Sequence, residues 1–288
     1  MLIESIKYVT NNLKMVLFFS LLILLMLIPM GCVAIALLLL VENGANPFSV
    51  ALLITSLIII VLMLLFMQGY LVKFVRSRSS GDDRAPSFTP GSLSDLNVML
   101  KEGFTAIIIS IVYRIVPVVL FSLIFLYVFP ISSFIELAAA LDISSFIELD
   151  TALDPSSPSY TVDSEIAAQT LLGLMMPAIL SLVGIVILLT VYGYYIVPAP
   201  FLAYANNRKF AAAFSLDKIT YLLFDRVYFI GFLYVLLSVF LLTIISIVLG
   251  SIPIIGWIIS IPVSIIGGLT VWSIWGMVYR DVCPPIES

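Results

Sequence analysis

The chain has 288 residues, of which 62% are hydrophobic and 10% are charged, and its formal net charge is −4. With a mean hydropathy of +1.22, this composition excludes an ordinary water-soluble domain, because such a fold could not cover so much apolar surface. The sequence has no histidine and two cysteines, Cys32 and Cys283. It therefore disfavours a disulfide framework, a zinc site of cysteine and histidine ligands, and histidine acid–base chemistry.

Six apolar stretches are long enough to cross a bilayer, whose hydrocarbon core of about 30 Å needs roughly 20 mostly apolar residues in a helix. The predicted spans cover residues 15–41, 51–74, 104–129, 170–197, 228–249 and 254–278. Gly250, Ser251 and Pro253 interrupt the last long stretch, so we expect a tight turn between the fifth and sixth spans. The predicted fold is an all-α, polytopic bundle of six transmembrane helices with added interfacial helices, in a single membrane domain over residues 1–288.

The distribution of charge predicts the orientation of these spans, since lysine and arginine near span ends are retained on the cytoplasmic side. With both termini in the cytoplasm, every base lies on that side except Arg114, which falls within the third span nearer the same face. The charged residues of the external segments are all acidic. Trp272 and Trp275 approach the inner end of the sixth span, where we expect them to anchor the helix at the interface. The sequence thus predicts a multi-pass protein of the cell membrane.

Two cytoplasmic connections share a pattern. Apolar residues recur at helical spacing over residues 92–104 and again over 210–224, which is typical of amphipathic helices that lie on a membrane surface. Each connection follows a span that ends in a Gly-Tyr pair, Gly69-Tyr70 and Gly193-Tyr194. Either the second and third spans are repeated as the fourth and fifth, or the likeness is that of unrelated membrane helices.

The external segment of residues 130–169 is acidic and contains a duplication. Residues 131–142 read ISSFIELAAALD and residues 143–154 read ISSFIELDTALD, with ten of twelve positions identical. Ser133 with Glu136, and Ser145 with Glu148, have the spacing of a capping box, so we expect two short helices. The segment is either an acidic cap that contacts a partner or covers an entrance, or a duplication in a tolerant loop.

Arg114 is the first candidate for a ligand-binding residue, because an ionised side chain below the interface is costly unless it pairs, snorkels or lines a wet cavity. It lies close to Pro117, which frees a backbone carbonyl. The side chain either faces such a cavity or extends to the phosphate layer. Gln68 is the other notable polar group within a predicted span and the second candidate.

The sixth span carries a stripe of small residues at four-residue spacing, namely Gly256, Ser260, Ser264 and Gly268. Small residues on one face allow another helix to approach closely. We expect the stripe to pack against another helix of the same chain or against a second copy.

Motifs that carry chemistry are missing from the sequence: it has no nucleophile elbow, phosphate-binding loop, metal-ligand cluster or nucleic-acid-binding patch. We therefore expect no catalytic residue, no metal, no cofactor and no nucleic-acid partner. No Asp or Glu lies within a predicted span, which disfavours a proton- or sodium-coupled transporter.

One group of motifs carries a family resemblance, in two cytoplasmic segments: Gly69-Tyr70 followed by Arg76, Gly81-Asp82-Asp83, Pro86, Phe88 and Gly103, and the run from Phe210 to Phe214. Here the chain resembles an uncharacterised family of multi-span membrane proteins, common in methanogenic and other archaea, that carries only a domain-of-unknown-function label. The resemblance implies the same topology over nearly the whole chain and an archaeal source, and it implies no catalytic residue. The duplication at residues 131–154 departs from the shorter loop of that family.

Two functions are compatible with these patterns. The first is a non-enzymatic membrane component that assembles with membrane lipids, with a membrane-protein partner or as a homo-oligomer. The alternative is a passive channel or a transporter of a lipid or small anionic solute, with Arg114 facing a wet cavity.

Overall fold

The computed structural model describes residues 1–82, 84–86, 93–128, 176, 180, 183–252 and 255–283. The described residues are helical apart from short turns, and none of them lies in a β-strand. Six helical stretches are long and apolar enough to cross a membrane by length and composition. The predicted all-α bundle of six spans is confirmed. The duplicated segment of residues 131–154 lies outside the described residues.

The chain begins with a short helix, α1 (Leu2–Thr10), followed by two long apolar helices, α2 (Leu13–Asn43) and α3 (Pro47–Ser79). Gly44 adopts a φ of 68° in the turn between the long helices, a conformation that costs glycine little. The Asn46 side chain then accepts a hydrogen bond from the backbone N–H of Ser49 at 2.8 Å. This cap, with Pro47 in the first turn, sets the start of α3.

Helix α4 (Leu93–Val128) is continuous over 36 residues. The sequence predicts a surface helix over residues 92–104 and a separate span from Phe104, but the structure has no break there. The apolar periodicity of the surface segment runs directly into the span, and no proline separates the two, so one helix contains both. Pro117 is accommodated inside this helix.

The fourth apolar stretch is broken. A helix over residues 183–195, here α5, stops at a turn over residues 196–197, and α6 (Pro198–Asn207) begins immediately afterwards. The sequence predicts that Pro198 and Pro200 end the fourth span. The helix stops at the turn just before them, and Pro198 starts the next helix, because proline at the first helical position has no N–H to leave unpaired. The stretch that is long and apolar enough to cross a membrane nevertheless continues to Asn207.

The connection after α6 consists of a short 3₁₀ helix, η1 (Phe210–Phe214), and the helix α7 (Leu216–Phe224). The sequence predicts one amphipathic helix over residues 210–224. Ser215 is extended instead and divides the segment into these two pieces.

The last two long helices are α8 (Arg226–Gly250) and α9 (Ile255–Val282). A Cβ atom on Gly256 would overlap the backbone carbonyl of Leu249, so glycine is what allows the two helices to meet so closely. Separate helices therefore precede and follow the predicted turn, of which residues 253–254 lie outside the described residues.

The chain forms two compact units, one of Met1–Val112 with Tyr194–Ser288 and one of Tyr113–Gly193. In the first unit α9 is central, since α1, α2, α3, α6 and α8 all pack against it. Trp275 and Ile274 on α9 are completely buried. In the second unit, the α4 side chains of Ile115 and Val116 are exposed, which is compatible with a lipid-facing surface.

Candidate functional site

One face of α9 carries Ser264, Gly268 and Trp272 at four-residue intervals, which places them above one another along the helix. The same three residues line two adjoining cavities of the first unit. Because the cavities share this wall, we describe them together as the two parts of the α9 cleft.

The larger part of the α9 cleft has a volume of about 600 Å³ and lies between α9 and α8. On the α8 side its polar groups are the hydroxyls of Thr243 and Ser246, among the apolar side chains of Val239, Leu242 and Ile247. The Thr243 hydroxyl donates to the backbone carbonyl of Val239 at 2.9 Å, so toward the cleft it offers only acceptor lone pairs.

The smaller part of the cleft has a volume of about 250 Å³ and lies between α9 and the pair α2 and α3. Gln68 is half-buried and supplies an amide, which can both donate and accept hydrogen bonds. The remaining wall is largely apolar, with Phe19 on α2, Met67 on α3 and Leu269 on α9 among its side chains. No Asp, Glu, Lys or Arg lines either part of the cleft in the described chain.

Helix α6 packs beside the Trp272 end of the cleft. The Phe201 ring on α6 contacts the Trp272 ring with centroids 4.5 Å apart and an interplanar angle of 46°. Every residue from Pro198 to Ala205 is buried, so α6 fills the interior beside the cleft rather than lining a passage.

Side chains from neighbouring helices fix both ends of α6. Just before its start, the Tyr228 hydroxyl donates to the backbone carbonyl of Tyr195, the last residue of α5, at 2.7 Å and satisfies a carbonyl at the helix break. At its end, Arg76 Nε donates to the carbonyl of Ala205 at 2.6 Å, and Arg76 Nη2 forms an ion pair of 2.9 Å with Glu102. A guanidinium at a helix C-terminus also complements the helix dipole.

A polar cluster joins α1, α3 and α9 near these contacts. The Tyr8 hydroxyl lies 3.4 Å from Ser77 Oγ, and the Arg78 guanidinium sits 4.6 Å from the centre of the Tyr8 ring and 2.9 Å from Met277 Sδ. Burial raises the pKa of Tyr8, an effect opposed by its hydrogen bond to Ser77 and by the positive charge of Arg78. Arg76 and Arg78, the bases in these contacts, both lie at one end of α3. We call this end of the helices the basic end.

The structure separates the predicted site residues into different groups. Gln68, Ser264 and Gly268 come together in the α9 cleft, whereas Arg114 is an exposed residue of the second unit. No ion pair among the described residues includes Arg114. A ligand-binding role for Arg114 stays a prediction.

The glycines of the predicted packing stripe have different surroundings. Gly256 is required by the turn against Leu249, but a Cβ on Gly268 would meet nothing within 4 Å. The neighbouring Gly267 packs closely instead, since a Cβ there would overlap the Leu242 side chain. Ser260 is half-buried on the same helix. The stripe therefore combines a close contact at Gly256 with an open wall of the cleft.

Sequence reasoning missed Thr243, Ser246 and Trp272 as cleft residues. Thr243 and Ser246 are polar positions three residues apart in the apolar second half of α8, a signal that could have identified them. The expected interfacial anchoring of Trp275 is wrong, because that side chain is fully buried against Tyr228 with ring centroids 4.6 Å apart. Trp272 is half-buried against Phe201 and not at a free helix end.

The described residues contain no group of three or more cysteine, aspartate or glutamate side chains able to hold a metal ion. What the α9 cleft offers is an apolar surface with a few amide and hydroxyl groups. Such a surface suits an apolar ligand that carries a small polar group.

One known protein family matches more than half of the chain. Residues 52–255 match a family described as "Protein of unknown function (DUF4013)". No curated protein and no solved structure matches the chain. The matched region begins in α3 and ends at the first residue of α9, so it includes the α8 wall of the cleft and most of α3.

Proposed function

We propose that this chain, which belongs to the DUF4013 family of proteins of unknown function, is a non-enzymatic membrane component that holds a lipid in its α9 cleft. The observation that carries the proposal is an open, mostly apolar cleft among helices of membrane-spanning length. Cavities of about 300–1,000 Å³ with a few polar groups in apolar walls are typical of ligand sites.

The chemistry of the cleft lining favours an uncharged and mostly apolar ligand. An ionised group placed between these helices would need a partner of opposite charge, and the described lining residues supply none. Gln68, Ser264 and Ser246 instead match a neutral hydroxyl, ester or ether, and the surrounding side chains match a hydrocarbon chain. A lipid whose chain enters the cleft and whose linkage oxygens meet these groups fits both requirements.

A passive channel or a transporter of a small anionic solute has less support. Phe201 on the buried helix α6 packs against Trp272, so protein side chains occupy the Trp272 side of the cleft. Arg114, the residue expected to bind an anion, belongs to the second unit, and its role stays a prediction.

The first test is native mass spectrometry of the protein extracted gently from its own membrane. We expect the unaltered chain to retain lipid in a fixed ratio, and Gly268→Leu to reduce that retention several-fold, because the new side chain would enter open space within the cleft. The thermal unfolding midpoint should change little, since no atom lies within 4 Å of the added Cβ.

Gly31→Leu is the matched control. Gly31 lies in α2, lines neither part of the cleft, and also has no atom within 4 Å of an added Cβ, so lipid retention should persist. Undiminished lipid in Gly268→Leu would overturn the lipid assignment. A protein retained in fixed ratio in place of lipid would instead make the chain a subunit of an assembly.

We further propose that the protein lies in the cell membrane of an archaeon with both termini in the cytoplasm. The contact of Tyr8 with Ser77 and the position of Arg280 beside Gly81, just after α3, support a common side for the termini, because they bring α1 and the end of α9 to the basic end. Retention of basic residues in the cytoplasm supports the direction.

A further inference from the structure

The connection between α6 and α8 presents an apolar outer surface. Ala213 of η1 and Ile219 and Leu222 of α7 are buried against the bundle. On the outside, Leu216 is 71% exposed and Phe224 is 88% exposed, together with Phe210, Phe214 and Tyr221. The rings of Phe210 and Phe214 contact each other with centroids 4.8 Å apart, so the exposed aromatic residues are grouped.

This outer surface is too apolar to face water and too short to cross a membrane. Helix α7 has nine residues and carries the charged side chains of Asp217 and Lys218, whereas a span needs roughly 20 mostly apolar residues. A short amphipathic segment of this kind lies at the boundary between headgroups and hydrocarbon. Its position directly before α8, a helix long enough to span, places it at that boundary.

Basic residues accompany the exposed apolar ones. Arg208, Lys209, Lys218 and Arg226 are all exposed, against the two acidic residues Asp217 and Asp225. The Asp225 carboxylate accepts a hydrogen bond of 2.7 Å from the backbone N–H of Val227 and caps α8, so it is already engaged. The segment therefore presents a net positive charge next to its aromatic side chains, and we call this combination the aromatic–basic surface.

We propose that the aromatic–basic surface binds the headgroups of anionic phospholipids in the membrane around the protein. Phe224, Leu216 and Tyr221 enter the boundary layer, while Arg208, Lys209, Lys218 and Arg226 contact phosphate oxygens. Negative surface potential attracts juxtamembrane bases in the same way. This contact lies outside the α9 cleft and does not depend on what the cleft holds.

The test uses the full-length protein equilibrated in vesicles of mixed phosphatidylglycerol and phosphatidylcholine, followed by native mass spectrometry of the retained lipids. The unaltered protein should be enriched in phosphatidylglycerol. In Lys209→Gln/Lys218→Gln/Arg226→Gln this enrichment should fall, by roughly fivefold for each base whose contact is lost. Leu216→Ser/Phe224→Ser should reduce retention of both lipids without changing their ratio.

The matched control removes three exposed bases elsewhere, as Lys7→Gln/Lys14→Gln/Lys101→Gln. It has the same change of net charge, and phosphatidylglycerol enrichment should remain. The proposal is overturned if the first triple variant keeps its enrichment, or if both triple variants lose it equally. A protein partner displaced by Leu216→Ser/Phe224→Ser, with lipid ratios unaffected by charge, would also overturn it. Gly268→Leu leaves this enrichment unchanged, so failure here is separate from failure of the cleft assignment.

Discussion

Arg208 adopts a backbone conformation that residues other than glycine rarely take. It adopts a φ of 54° where α6 ends, and its N–H donates to the carbonyl of Tyr204 at 2.9 Å. Glycine is the usual residue at such a position, because a Cβ makes the left-handed conformation costly. The arginine keeps a cation beside the end of α6 at the expense of this backbone strain.

Two substitutions of Arg208 distinguish the effect of backbone strain on stability from the effect of losing the positive charge. Arg208→Gly and Arg208→Ala both remove the guanidinium, but only alanine must hold the left-handed conformation with a Cβ. We expect the glycine variant to be the more stable of the two by about 1 kcal/mol. Unfolding midpoints measured in one detergent check this, and an alanine variant as stable as the glycine variant would contradict it.

Single residues of the cleft were predictable where they contrast with their surroundings. Gln68 and Ser264 are conspicuous because they are polar within apolar runs, and the structure places them in one cleft. Trp272 and Trp275 were not predictable, since an aromatic residue near a span end suits the interface as well as it suits a core. Their positions depend on Phe201 and Tyr228, which are distant in sequence.

Among the elements, the spans were predictable because their length and hydropathy follow directly from the thickness of a bilayer. The continuity of α4 was not, since an amphipathic pattern does not say where a helix stops. Nor was α6, because a proline can end one helix and begin another. The buried position of α6 depends on contacts with Arg76 and Tyr228 that no local pattern encodes.

Helices α3 and α4 meet at reciprocal glycines, and this contact gives a prediction. A Cβ on Gly103 would overlap the carbonyl of Leu65, and a Cβ on Gly69 would overlap that of Met99. We expect Gly103→Ala to force the backbones apart and to destabilise the protein by about 2 kcal/mol. Thermal unfolding in detergent measures the loss.

The control for Gly103→Ala is Gly31→Ala, because an added Cβ at Gly31 meets nothing within 4 Å. That variant should unfold at the temperature of the unaltered protein or slightly above it, since alanine favours a helix more than glycine does. Equal midpoints for Gly103→Ala and Gly31→Ala would show that the glycine contact is unimportant for stability.

For the whole molecule, the proposed orientation can be tested at Cys283. With Cys32 replaced by alanine, Cys283 is the remaining thiol, and a membrane-impermeant maleimide should label it only after the cells are opened. A cysteine introduced by Ser157→Cys, in the segment predicted to be external, should be labelled in intact cells. Labelling of Cys283 in intact cells would contradict the proposed orientation and indicate the opposite one.

The rate of that labelling should depend on pH in a defined direction. Burial raises the pKa of the Cys283 thiol, with a lowering effect from Lys218 and a raising effect from Asp225. The reactive thiolate is therefore scarcer than in a free cysteine at the same pH. In opened cells Cys283 should react more slowly than free cysteine near neutral pH, and the difference should narrow as pH rises.

The order of synthesis determines when the contacts that hold α6 can form. Arg76, which ties the end of α6, precedes it in the chain, whereas Tyr228, which ties its start, and Trp272, which receives Phe201, are synthesised later. Helix α9, the common wall of the cleft, follows all other described helices. A nascent chain halted before α9 therefore has α6 without its covering helix, and both parts of the cleft lack their common wall until that helix has been inserted.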